Sequence, residues 1–116
     1  MIEVYHNPRC GKSRNCLAFL ENTNQEYKII KYLEEVPSAE ELKALLKKLN
    51  IKPIELVRQK EKIWIEQFKS QNLTNEAVIE AMIQNPILIE RPIIIRGNKA
   101  IIARKADKTE AFFKAE

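Results

Sequence analysis

The sequence predicts an α/β domain in which a small mixed β-sheet carries helices, and three observations lead there. A short apolar run, Ile2-Glu3-Val4-Tyr5, precedes a helical pattern and a second apolar run, Tyr27 to Tyr32, which is the order of a parallel crossover unit. Two β-branched runs near the C-terminus flank a Gly-Asn pair, the form of a hairpin. The long stretch between these units is patterned for helices. The predicted order is β-α-β, a helical insertion over about 38–85, then β-β-α, in one domain spanning 1–116.

Each element has a local reason. Ile2 to Tyr5 reads as the first strand, and the first helix runs from Lys12 to Glu21 on Leu17, Ala18 and Leu20, ending near Asn22 to Asn24. Tyr27 to Tyr32 reads as the second strand. Ser38 with Glu41 fits a capping box, and Leu42, Leu45, Leu46 and Leu49 form the buried stripe of the helix it opens. Pro53 suits a first helical turn ahead of Ile54 to Val57. Trp64, Ile65 and Phe68 recur at helical spacing and read as core. Thr74 caps a helix through Val78, Ile79, Met82 and Ile83, stopped by Asn85-Pro86.

Ile93 to Ile95 and Ala100 to Ala103 are the hairpin strands, with Gly97-Asn98 in the turn. Asp107 with Glu110 opens a last helix that buries Phe112 or Phe113. The whole is a thioredoxin-like mixed sheet. Pro92, at the start of the third strand, makes Arg91-Pro92 a candidate cis bond facing the cysteine loop, with the isomer left open by sequence.

Composition narrows the function classes. Charged residues make up 31% and hydrophobic residues 45%, the balance of a globular chain. No apolar run approaches the roughly 20 residues of a membrane span, and no signal-peptide pattern is present, so a cytoplasmic protein without a membrane partner is expected. The net charge of +4 comes from Lys and Arg scattered among Asp and Glu, which argues against direct nucleic-acid binding. One histidine and no Cys/His cluster argue against a metal, and no bound cofactor is expected. A monomer is the expected state.

The chemistry concentrates at Cys10, in the run Tyr5-His6-Asn7-Pro8-Arg9-Cys10-Gly11-Lys12-Ser13-Arg14. A cysteine at a strand-to-helix turn meets unpaired helix N–H groups and the positive end of the helix dipole, which lower a thiol pKa and favour the nucleophilic thiolate. His6, Arg9, Lys12 and Arg14 push the same way. The alternative for Cys10 is a small buried hydrophobe. Cys16, six residues further along the helix, turns away toward Leu17 and Phe19 and reads as core rather than as a resolving thiol.

Three further arginines complete a pattern: His6 to Asn15, then Glu55-Leu56-Val57-Arg58, then Asn85-Pro86-Ile87-Leu88-Ile89-Glu90-Arg91-Pro92-Ile93, and Arg104, in that order. Together they closely resemble the glutaredoxin-linked arsenate reductases of the ArsC family, from the first strand to beyond Arg104. The resemblance implies that Cys10 is the nucleophile attacking arsenate, and that Arg58, Arg91 and Arg104 hold the oxyanion and its thiolate-bound intermediates. It also implies that His6 and Ser13 favour the Cys10 thiolate. Glutathione would be the co-substrate, and glutaredoxin the partner that regenerates Cys10.

Elementary chemistry agrees, since guanidinium forks meet the acceptor oxygens of a tetrahedral oxyanion with charge-assisted hydrogen bonds. Taken alone, Arg58 among Gln59, Lys60, Glu61 and Lys62, and Arg104 beside Lys105, also fit solvated faces. Arg14 belongs to the motif without a separate role. Two rival functions stay open: a regulatory protein like Spx that binds RNA polymerase, and a glutathione-dependent thiol reductase with another substrate. Ser13 stands where the first rival carries the second cysteine of a Cys-x-x-Cys switch, and the arginines are unexplained by the second.

Overall fold

Alternation of Ile2 and Val4 with Glu3 makes residues Ile2–Tyr5 a strand, β1, with both aliphatic side chains on one face. Gly11–Asn22 forms the crossover helix α1, and Tyr27–Ile30 forms β2, parallel to β1 with Tyr5 opposite Ile30. Ile93–Arg96, β3, pairs antiparallel with β1, placing Tyr5 opposite Ile93. Lys99–Ile102, β4, pairs antiparallel with β3, placing Ile93 opposite Ile102. The sheet order is β2-β1-β3-β4, a mixed sheet of the predicted thioredoxin-like kind.

The computed structural model describes residues 2–23, 25–104 and 106–114, with the backbone alone at 106, 107, 113 and 114. The chain divides into two compact units, Met1–Glu35 with Arg91–Glu116, and Val36–Glu90. The predicted helical insertion lies within the second.

In the first unit, Ile2, Val4 and Ile94 from the sheet meet Cys16 and Leu20 from α1 and Ala103 beyond β4 in one buried cluster. Leu17, Tyr27, Ile101 and Phe112 pack against it, Phe112 coming from the last helix, Ala106–Lys114. Each fully buried aliphatic side chain contributes about 1.5–3 kcal/mol of transfer free energy. The β3–β4 turn has a positive φ of 61° at Gly97 and none at Asn98, the type II′ arrangement in which the first turn position calls for glycine. The Arg91-Pro92 bond is cis. Predictions concerning the Asp107 and Phe113 side chains and residue 24 lie outside the described residues.

In the second unit, Ala39–Leu49 forms α2, Pro53–Leu56 α3, Lys62–Gln67 α4 and Asn75–Gln84 α5, followed by a 3₁₀ turn at Pro86–Leu88; the last helix is thus α6. Ser38 accepts from the Glu41 N–H and the Glu41 carboxylate accepts from the Ser38 N–H, so both halves of the capping box are made. Asn50 ends α2 in the left-handed region, at φ 56°. Thr74 caps α5 by accepting from the Ala77 N–H. The helices α2 and α3 and the 3₁₀ turn all pack against α5.

Several local expectations change. The second strand stops at Ile30, because the Lys31 carbonyl accepts from the Glu34 and Glu35 N–H groups and folds the chain into a turn; Tyr32 is buried there, its ring stacked 5.9 Å from that of Tyr5. Ala18 faces solvent, and Leu49 is half-buried. Val57 leaves the helix to bridge Ile89. Trp64 is buried and stacks with Phe68, but Ile65 is 51% exposed. Trp64 and Phe68 lie four residues apart on one side, whereas Ile65 is turned about 100° away on a helix too short to bury a second face. Among the described residues no helix is long and apolar enough to cross a membrane.

Candidate functional site

Strand register decides which candidate residues meet. Tyr5, Ile30, Ile93 and Ile102 lie side by side across the sheet. His6 to Cys10 follow Tyr5, Arg91-Pro92 precede Ile93, and Ala103-Arg104 follow Ile102. All three segments therefore emerge at one end of the sheet, beyond the carboxyl ends of its parallel pair, where ligands of open α/β sheets bind. The Ala103 N–H donates to the Pro92 carbonyl at 2.7 Å and extends the pairing to the neighbours of both arginines. Cys10, His6, Ser13, Arg91 and Arg104 belong to this unit; Arg58 belongs to the other.

The cysteine loop is held by a short set of hydrogen bonds. Cys10 is the N-cap residue of α1, with extended backbone angles of −97° and 122°, and its carbonyl accepts from the Arg14 N–H at 3.1 Å. Its side chain makes no capping bond, and no acidic residue lies in the first turn. The half-buried thiol thus sits at a helix start whose N–H groups and dipole favour an anion. The Cys10 N–H donates to the Asn7 carbonyl at 3.0 Å. The Asn7 side-chain oxygen accepts from the Arg9 N–H at 3.0 Å, and the Asn7 N–H donates to the Ser13 hydroxyl over a long 3.4 Å.

Two loop residues acquire roles that the motif alone did not supply. Asn7, 4% exposed, takes part in three of those bonds, an Asx-turn use of a residue type that competes well for local backbone groups. The Arg14 side chain donates from Nη1 to the Pro8 carbonyl at 3.0 Å, so this cation also braces the loop. The spacing Asn-x-Arg, with a helix opening after it, was the available signal for Asn7. For Arg14, six residues beyond its acceptor, only the folded loop supplies the contact.

His6 is buried, its backbone N–H donating to the Ile30 carbonyl at 2.9 Å. Burial lowers its pKa below 6.5, and the nearby charges of Lys31 and Arg14 lower it further, so the ring is neutral at neutral pH and, contrary to the expectation, adds no positive charge beside Cys10. Its Nδ1 has no hydrogen-bond partner among the described residues. Cys16 behaves as expected of a core thiol: it is 6% exposed, and burial pushes its pKa up to about 11.

Arg91 is buried and Arg104 half-buried. In the second unit, Arg58 is half-buried, its backbone N–H donating to the Leu88 carbonyl at 2.7 Å, next to the Val57–Ile89 bridge. Its Nε lies 3.7 Å from the Glu61 carboxylate, an ion-pair distance beyond hydrogen-bond length. This pinned backbone is unlike the freely solvated helix face that the surrounding charges suggested.

The chain matches the ArsC family over residues 5–112. It is 41% identical to the uncharacterised protein YfgD of Escherichia coli strain K12 over 109 residues, 92% of each chain. It is 36% identical to an arsenate reductase of Neisseria meningitidis serogroup A over 112 residues, covering 95% of this chain and 96% of the other. A solved arsenate reductase from Vibrio cholerae superposes with a TM-score of 0.89 at 38% identity, covering 95% of both chains. The family match over residues 5–112 and these full-length likenesses establish that this chain belongs to the ArsC family.

Proposed function

We propose that this chain is an arsenate reductase that uses glutathione as co-substrate and glutaredoxin as electron-donating partner. The observation that carries the reading is the convergence of Cys10, Arg91 and Arg104 at one end of the sheet. Cys10 is the nucleophile; Arg91 and Arg104 hold the oxyanion, and Arg58 joins them by its match to the family motif. A basic loop and a helix start stabilise the anionic thiolate. Arg9, Lys12 and Arg14 supply the positive field, and His6, neutral and buried at the start of the loop, favours the Cys10 thiolate by its match to the family motif. Ser13 and Asn7 keep the loop in shape.

The Cys10 sulfur displaces one arsenate oxygen as water and forms a sulfur–arsenic bond. The glutathione thiol then enters. Two sulfurs give up an electron pair as a disulfide forms, and arsenic passes from the pentavalent to the trivalent state. Per arsenate, two thiols yield arsenite, one disulfide and one water. Glutaredoxin reduces the disulfide and restores Cys10.

The test is NADPH consumption with arsenate, glutathione, glutathione reductase and glutaredoxin, comparing wild type with Cys10→Ser. Arsenate-dependent turnover that disappears in the variant is expected. A folded, reduced wild type without turnover would sink the reading.

A further inference from the structure

A cleft of about 130 Å³ opens in the first unit beside the candidate site, lined by Lys12, Asn15, Cys16, Phe19, Ala103, Arg104 and Thr109. The first four recur at i, i+3, i+4 and i+7 and so share one face of α1. Cys16, Ala103 and Thr109 are buried and form its floor; Lys12 and Asn15 are exposed at its rim. Among the described residues, two of the lining side chains are cations and none is acidic. The apolar part of the wall comes from Cys16, Phe19 and Ala103.

We propose that this cleft binds the carboxylate-bearing end of a small peptide thiol, and the assignment of that thiol as the co-substrate rests on the proposed reductase function. Lys12 and Arg104 match a carboxylate in charge. Asn15 and Thr109 add hydrogen-bonding groups. The apolar wall calls for carbon atoms behind the anion, which a free inorganic oxyanion would not supply. The volume resembles that of a cavity of about 150 Å³ able to hold a six-carbon ring, so one amino-acid-sized unit fits and a whole protein segment does not. Lys12 is two residues from Cys10 and Arg104 emerges at the same end of the sheet, so the cleft adjoins the nucleophile loop. Anchoring the thiol here by its carboxylate replaces a bimolecular encounter by an oriented one.

S-methylglutathione, which keeps the carboxylates and cannot react, is the probe. Its titration into the ¹⁵N-labelled protein is expected to shift the amides of Asn15, Cys16, Phe19, Arg104 and Thr109 saturably. Asn15→Asp, an exposed and nearly isosteric change, is expected to weaken binding at least about threefold through like-charge repulsion, and Lys12→Gln to weaken it similarly. S-methylcysteamine, which lacks carboxylates, should leave these amides unmoved. Shifts confined to the Cys10 loop, equal shifts with S-methylcysteamine, or unchanged binding in both variants would each overturn the proposal. Arsenate turnover without shifts at the cleft would overturn this inference and leave the reductase reading standing. Cleft shifts in a protein without turnover would do the reverse and support the cleft as a peptide-thiol site.

Discussion

The Ala103 N–H donates to the Pro92 carbonyl at 2.7 Å, one step beyond the Ile93–Ile102 pair, and so ties the residues next to Arg91 and Arg104 together at the sheet end. Arg91 is 9% exposed there, and a planar guanidinium in such a place offers a fork that an ammonium cannot copy. Arg91→Lys is expected to cut arsenate kcat/KM at least about tenfold, the loss of one charge-assisted contact. Circular dichroism and the melting temperature, measured alongside, should show a folded protein; full activity in the variant would remove Arg91 from the proposed oxyanion site.

The two thiols should differ sharply in reactivity. Cys16 is almost fully covered and held protonated, its pKa pushed up to about 11, while Cys10 is half-buried at a helix start. Iodoacetamide at pH 7 is expected to add one carbamidomethyl group to the native wild type and none to native Cys10→Ser. Mass spectrometry after denaturation should then find Cys16 modifiable. Rapid labelling of Cys16 in the native variant would contradict its burial.

His6 is the single histidine, so its ring proton gives an unambiguous NMR titration. Its midpoint should lie below 6.5, and Lys31→Met should raise it by removing one of the charges that disfavour the imidazolium. Because the folded-state pKa is depressed, the unfolded chain binds more protons in the window below 6.5. The His6 contribution to stability is therefore present above pH 6.5 and is lost as pH falls through the folded-state value. Urea midpoints of wild type should fall more steeply over that window than those of His6→Gln; parallel slopes would count against it.

Ser13 is fully buried and accepts from the Asn7 N–H. Ser13→Ala leaves that N–H without its acceptor, at a cost of about 1 kcal/mol given the long bond. Urea unfolding should register the loss, and Cys10 labelling should slow as the loop loosens. A stability change without any change in labelling would confine Ser13 to a structural role.

At Gly97 there is open space for a side chain, but the φ of 61° penalises one. Gly97→Ala should cost about 1 kcal/mol and Gly97→Asn less, since primed turns admit asparagine at a positive φ better than alanine. Thermal melts of the two variants check the order. Equal losses would mean that the turn relaxes away from type II′.

By itself, the sequence determined what neighbours along the chain can encode. Alternation at Ile2 to Tyr5, the Ser38–Glu41 capping box, the Thr74 cap and the Gly97 turn are local, and each formed where it was read. The cysteine loop and the arginine motifs likewise carried the family. Tertiary structure decided what depends on residues far apart. Register brought Arg91 and Arg104 to the end of β1, and the folded loop gave Arg14 its acceptor at Pro8. Turn bonding ended β2 at Ile30, and a six-residue helix left Ile65 in solvent. The physical reason is that period, capping and turn preference act over a few residues, whereas burial and strand register are set by which distant segments pack together.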